Sequence, residues 1–83
     1  MYWVYILKSL KNNQYYIGCT NNLVRRLNEH NKRFSKYTKG KGPWEITYKE
    51  EFYNLNEARK REKQIKSWKK RVAIEKLILG AIV

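Results

Sequence analysis

Glu62 is a carboxylate in a place where packing alone gives it no reason to be. It lies four residues after Ala58 and three before Ile65, so helical periodicity puts it on the apolar stripe of Ala58, Ile65, Trp68 and Val72. An inward-facing carboxylate is costly unless it pairs with a cation, ligates a metal or lines a cleft. Lysines and arginines surround it in the sequence, so an ion pair is the simplest of the three. Earlier in the chain, Arg26 and His30 are spaced i, i+4 and share a helix face beside Leu27. Arginine offers a two-pronged grip on phosphate oxygens, and histidine, present once, holds or passes a proton near neutral pH. Tyr5 and Tyr16 add two phenols that serve equally well as core material or as proton carriers. Gly18 interrupts a strand-like run just after Tyr16 and marks a close approach to the backbone. Cys19 has no second thiol to pair with, so packing is its default role.

The hydrophobic pattern shows which elements would carry these groups. Residues 2–8, YWVYILK, are β-branched and aromatic and read as a strand. Asn12 and Asn13 suit a turn, and Gln14–Cys19 make the partner strand of an antiparallel hairpin. Thr20, Asn21 and Asn22 offer caps for a helix over about 22–32, with Leu23 and Leu27 on its inner side. A basic loop with Gly40, Gly42 and Pro43 fills 33–43. Glu45–Tyr53 follows as a third strand, with Ile46, Tyr48, Glu50 and Phe52 on one face. Asn54 and Glu57 resemble a capping box, and helix-forming residues run on to about Leu79. No Gly or Pro decides between one helix there and two meeting near Ser67 and Trp68. The order ββαβα(α) is a small α+β domain: a three-stranded antiparallel sheet flanked by helices.

Charge narrows the partners. The 83 residues hold 19 Lys and Arg against 7 Asp and Glu, a net charge of +12, while 42 % apolar residues argue against disorder. Residues 25–42 set seven cations against Glu29, and residues 57–76 set nine against Glu57, Glu62 and Glu75. Each block therefore carries +6 and the remainder is neutral. Concentrated charge of this kind is either a solvated cationic face or a footprint for a phosphate backbone. On the second reading the contacts are Arg25, Lys32, Arg33, Lys36, Lys39 and Lys41 in the first block and Lys63, Lys66, Lys69 and Lys70 in the second. The opening MYWVYILKS lacks the basic start of an export signal, and the apolar stretch 77–83 is too short to span a bilayer. The expectation is one cytoplasmic domain over 1–83, with no membrane partner.

Together these residues resemble the GIY-YIG nuclease superfamily. The first signature tripeptide corresponds to Trp3-Val4-Tyr5 and the second to Tyr16-Ile17-Gly18 on the partner strand. Arg26 and then His30-Asn31 match the helix that follows, and the stretch Ala58 to Lys66 is similar to the helix bearing the acidic metal ligand. The loop TKGKGPW, Thr38 to Trp44, is typical of small stand-alone members related to the catalytic domain of the excision-repair incision subunit. Three departures stand out: Trp3 replaces a Gly, Cys19 stands where repair enzymes carry Lys, and no Asn follows Asn56. The resemblance implies endonucleolytic hydrolysis of DNA phosphodiesters with recognition of structure or backbone. Catalysis would fall to Tyr5, Tyr16, Arg26 and His30, Glu62 would hold one Mg²⁺ or Mn²⁺, and Gly18 would be structural. The competing expectation is a non-catalytic module that binds DNA or RNA, or an accessory domain docking on a larger repair or recombination protein.

Overall fold

Four consecutive apolar residues, Val4-Tyr5-Ile6-Leu7, need cover on both faces, which only a central strand provides. In the computed structural model, which describes residues 1–32, 38 and 40–82, they lie in the middle of β1 (Tyr2–Ser9) and are at most 2 % exposed. β2 (Tyr15–Thr20) and β3 (Trp44–Phe52) pair antiparallel with β1 on opposite sides, giving the order β2-β1-β3. α1 (Leu23–Asn31) is capped by Asn22, whose Oδ1 accepts from the Arg25 amide at 3.0 Å. α2 (Leu55–Ser67) is capped in the same way by Asn54, which accepts from the Glu57 amide at 2.8 Å, and α3 (Arg71–Ile82) completes ββαβαα. This is the expected α+β architecture.

The alternation of β1 sorts the core into two parts. Val4 and Ile6 pack with Ala58, Ile65 and Ile74 of α2 and α3, while Tyr5 and Leu7 pack with Trp44 and with Leu23 and Leu27 of α1. Across the hairpin, Tyr5 faces Gly18 and Leu7 faces Tyr16, so both tyrosines and the glycine share the α1 side. The turn is drawn tight by Asn13 at φ 62 and by Ser9, whose Oγ accepts the Lys11 and Asn12 amides and donates to the Lys41 carbonyl at 2.6 Å. Leu10 N donates to Pro43 O at 2.9 Å, so the segment entering β3 is tied to the hairpin turn.

Two expectations need correction. Strict alternation puts Ile46 beside Tyr48 and Phe52, but the pairing of β1 with β3 shifts between Ile6 and Leu7. Ile46 therefore pairs with Leu7 and joins the Tyr5 cluster, because a bulge swaps faces where a period of two cannot. Val72 is not on the inner stripe either: it is 60 % exposed. Lys69, at φ 53, ends one helix before the next begins, so the phase set by Ala58 and Ile65 is not carried into α3. Of the two arrangements the pattern leaves open there, the chain adopts the one with two helices. Among the described residues, no helix is long and apolar enough to cross a membrane.

Candidate active site

β1, β2 and α1 bring four polar side chains to one spot. The hairpin register sets Tyr5 over Gly18, so a Cβ at residue 18 would stand within 3.0 Å of the Tyr5 ring and hydroxyl. Only a residue without a side chain lets the phenol come this close to β2. His30, on the inner side of α1, places Nε2 3.0 Å from Tyr5 Oη, and its ring centroid is 4.7 Å from that of Tyr16. Tyr5 and Tyr16 have centroids 6.4 Å apart. One turn before His30, Arg26 bonds Glu29 at 3.1 Å and reaches both tyrosines.

Electrostatics at the site follow from burial. Tyr5 is 2 % exposed, and burial pushes its phenol up to about 12 although the hydrogen bond to Arg26 pulls the other way. His30 is 1 % exposed; burial, reinforced by the Arg26 charge, lowers it to about 4, so the ring is neutral at pH 7. Desolvation works against the Arg26 charge, yet its hydrogen bonds to Tyr5, Glu29 and Tyr16 hold the guanidinium above its ordinary range. The resting site thus has a neutral phenol and a neutral imidazole beside a permanent cation.

Glu62 approaches from α2 on the other side of the sheet. Its charge is felt at Tyr5 and at Cys19, whose thiol is raised chiefly by burial. Its side chain is 20 % exposed, and Oε2 lies 2.8 Å from Lys66 Nζ, one turn along. No cluster of three or more His, Cys, Asp or Glu suited to a metal exists among the described residues. A lone carboxylate does fit a hard divalent ion that keeps most of its water and takes its remaining ligands from a bound phosphate.

The cations separate into groups. Lys41, Lys66, Lys69, Lys70 and Arg71 line a cleft of about 650 Å³ together with Tyr16, and its described lining includes no carboxylate. Arg71 closes one end, with its guanidinium 4.5 Å from the Tyr15 ring and Nη1 donating to Asn13 O at 2.5 Å. Arg25 and Lys32 lie instead on the outer side of α1, in a shallow hollow with Glu29. Lys63 is exposed on α2 away from both, and Arg33, Lys36 and Lys39 lie outside the described residues.

Three contributors were not singled out by sequence. Thr38, fully buried, sets Oγ1 2.8 Å from His30 Nδ1. Trp44 donates from Nε1 to the Thr38 carbonyl at 3.3 Å. Asn31 brackets the Trp44 backbone, donating to its carbonyl at 3.1 Å and accepting from its amide at 2.6 Å. The sequence signals for them are the motifs that carry the resemblance, His30-Asn31 and the stretch TKGKGPW that opens on Thr38 and ends on Trp44.

A sheet presenting paired tyrosines to a helix with arginine and histidine, with a lone glutamate beyond, defines a class. Residues 1–76 match the model of the GIY-YIG catalytic domain, and the chain belongs to that family. A UPF0213 protein of Clostridium perfringens is 48 % identical over 67 residues, which cover 80 % of this chain and 71 % of that one. The structure-specific endonuclease subunit SLX1 of Phaeosphaeria nodorum is 47 % identical over 51 residues, 55 % of this chain and 14 % of the relative. Among solved structures, the solution structure of a UPF0213 protein from Bacillus halodurans has a TM-score of 0.59 at 32 % identity, covering 94 % of this chain and 83 % of that one.

Proposed function

We propose that this chain is an endonuclease that hydrolyses phosphodiester bonds in DNA, using one divalent ion and recognising backbone or structure rather than sequence. The observation that carries the reading is the convergence of Tyr5, Tyr16, Arg26 and His30 beside a cleft lined by five cations. Glu62 would hold Mg²⁺ or Mn²⁺, which when bound supplies positive charge at the scissile phosphate. Arg26 orients the two phenols and faces the phosphate with a charge that cannot be lost. Lys41, Lys66, Lys69 and Lys70 carry the flanking backbone, as counter-ions to successive phosphates.

The proton from the attacking water goes to Tyr5 Oη as the Tyr5 proton passes to His30 Nε2. The water O–H bond breaks and its oxygen bonds to phosphorus as the bond from phosphorus to the departing nucleotide oxygen breaks; that oxygen takes a proton from solvent, and His30 releases its own to solvent. A standing phenolate is costly: ionising Tyr5 at pH 7 from about 12 takes about 7 kcal/mol, so the phenol serves by taking the proton of the water as it gives up its own. Tyr16, ring against ring with His30, orients the water or the phosphate.

The relative named as a structure-specific endonuclease subunit supports a substrate chosen by DNA structure, such as a branch or flap, and a larger protein as companion. The test is cleavage of flapped, branched and plain duplexes in Mg²⁺ or Mn²⁺. Activity is expected to fall at least a hundredfold in Glu62→Ala and Arg26→Ala. One observation favours a second reading, a non-catalytic nucleic-acid-binding module: the Glu62 carboxylate is already engaged by Lys66. That reading gains if salt-sensitive binding occurs without cleavage on every substrate and is unchanged in Glu62→Ala.

A further inference from the structure

The bond between Tyr5 and His30 can be built in two ways, which differ in the ring nitrogen that carries the proton. A neutral imidazole carries one N–H, on either Nδ1 or Nε2. Tyr5 is buried and holds its proton, so its O–H needs an acceptor. Arg26 has only donors to offer. Among the described hydrogen bonds of the Tyr5 hydroxyl, the acceptor is His30 Nε2, at 3.0 Å. With Tyr5 as the donor, Nε2 is bare and the ring proton sits on Nδ1. That atom faces Thr38 Oγ1 at 2.8 Å, a hydroxyl able to accept it.

We propose that Thr38 is a positioning residue for the reaction: by accepting the Nδ1 proton of His30 it keeps Nε2 as the lone pair that draws on the Tyr5 hydroxyl. The chain Tyr5–His30–Thr38 then has the layout of a proton carrier, a base and a group that orients the base. Thr38 is itself held from behind. Its carbonyl accepts Trp44 Nε1 at 3.3 Å and the Lys41 amide at 3.2 Å, and Asn31 fixes Trp44 in turn. The hydroxyl is therefore fully buried against the α1 histidine. An ordinary exposed loop threonine would have none of these restraints. The inference rests on the relay reading of the site, but its first measurement needs no cleavage.

The test is ¹⁵N-labelled protein and long-range ¹H–¹⁵N correlation of His30 at pH 7. The wild type is expected to show a pyrrole-like Nδ1 and a pyridine-like Nε2, and Thr38→Ser to show the same. Thr38→Val, which removes the acceptor at nearly constant volume, is expected to shift His30 toward the other tautomer or a mixture. On a substrate that the wild type cleaves, Thr38→Val should lower kcat at least tenfold with KM within twofold, and Thr38→Ser should recover kcat to within about threefold. A wild-type ring protonated on Nε2 overturns the assignment whether or not Thr38→Val folds. So does a folded Thr38→Val with an unchanged tautomer, or with wild-type kcat. If the wild type cleaves nothing, the nuclease reading falls, while the tautomer spectrum still decides the role of Thr38 at His30.

Discussion

Gly18→Ala isolates what the hairpin does for the site. The added methyl would fall within 3.0 Å of Tyr5 Oη, Cζ and Cε1, closer than side-chain carbons approach other atoms. Tyr5 cannot yield cheaply, since it is 2 % exposed with its ring 6.0 Å from that of His30 and 6.4 Å from that of Tyr16. Overpacking of this kind costs about 1–3 kcal/mol, and moving the phenol off His30 forfeits a hydrogen bond worth about 1 kcal/mol net. The total, about 2–4 kcal/mol, is a large part of the stability of a domain this small. Urea unfolding measures it, and the Tyr5→Leu background provides the control. With the ring gone the clash disappears, and Gly→Ala within a strand should stabilise by about 0.5–1 kcal/mol. The sign of the Gly18→Ala effect is thus expected to reverse between the two backgrounds, a double-mutant coupling of about 2.5–5 kcal/mol. Equal effects in both would refute the claim that Gly18 exists to seat Tyr5. In cleavage assays the variant should lose about a hundredfold in kcat, since a shift near 1 Å at the reacting group is enough for that.

Acid should unfold the protein through His30. Its folded pKa, about 4, lies below the ordinary 6.5, so the unfolded chain binds more protons between those values and stability falls as pH drops from 6.5 to 4. The loss is about 3 kcal/mol, and urea midpoints across that range should flatten in His30→Gln. At the α2–α3 junction, Lys69 adopts φ 53 without being glycine. Lys69→Gly should raise Tm by a few degrees and Lys69→Val should lower it, because a left-handed residue costs about 1 kcal/mol and more when β-branched.

Local chemistry made much of this molecule legible in advance. The apolar run of β1, the asparagine turn and the caps at Asn22 and Asn54 each act over a few residues, and the elements they specify form at nearly the expected bounds. Tyr5, Tyr16, Arg26 and His30 are grouped in the sequence only through the family resemblance; in the structure, hairpin pairing and one turn of α1 bring them together. What escaped depends on closure over longer distances. The shift between Ile6 and Leu7 arises where β3 is fitted to β1, and nothing in residues 44–52 announces it. The α2–α3 break is set at Lys69, a residue type with no preference for that conformation. Thr38 is the sharpest case. The residues that follow it in sequence are lysines and glycines that suggest solvent, yet Ser9 and Leu10 tie them to the hairpin turn, and Trp44 is clamped by Asn31. Those ties turn the hydroxyl toward the one histidine in the chain. The groups proposed to touch a phosphate are thus carried by the hairpin and α1, while the group proposed to orient one of them is set by how the sheet closes.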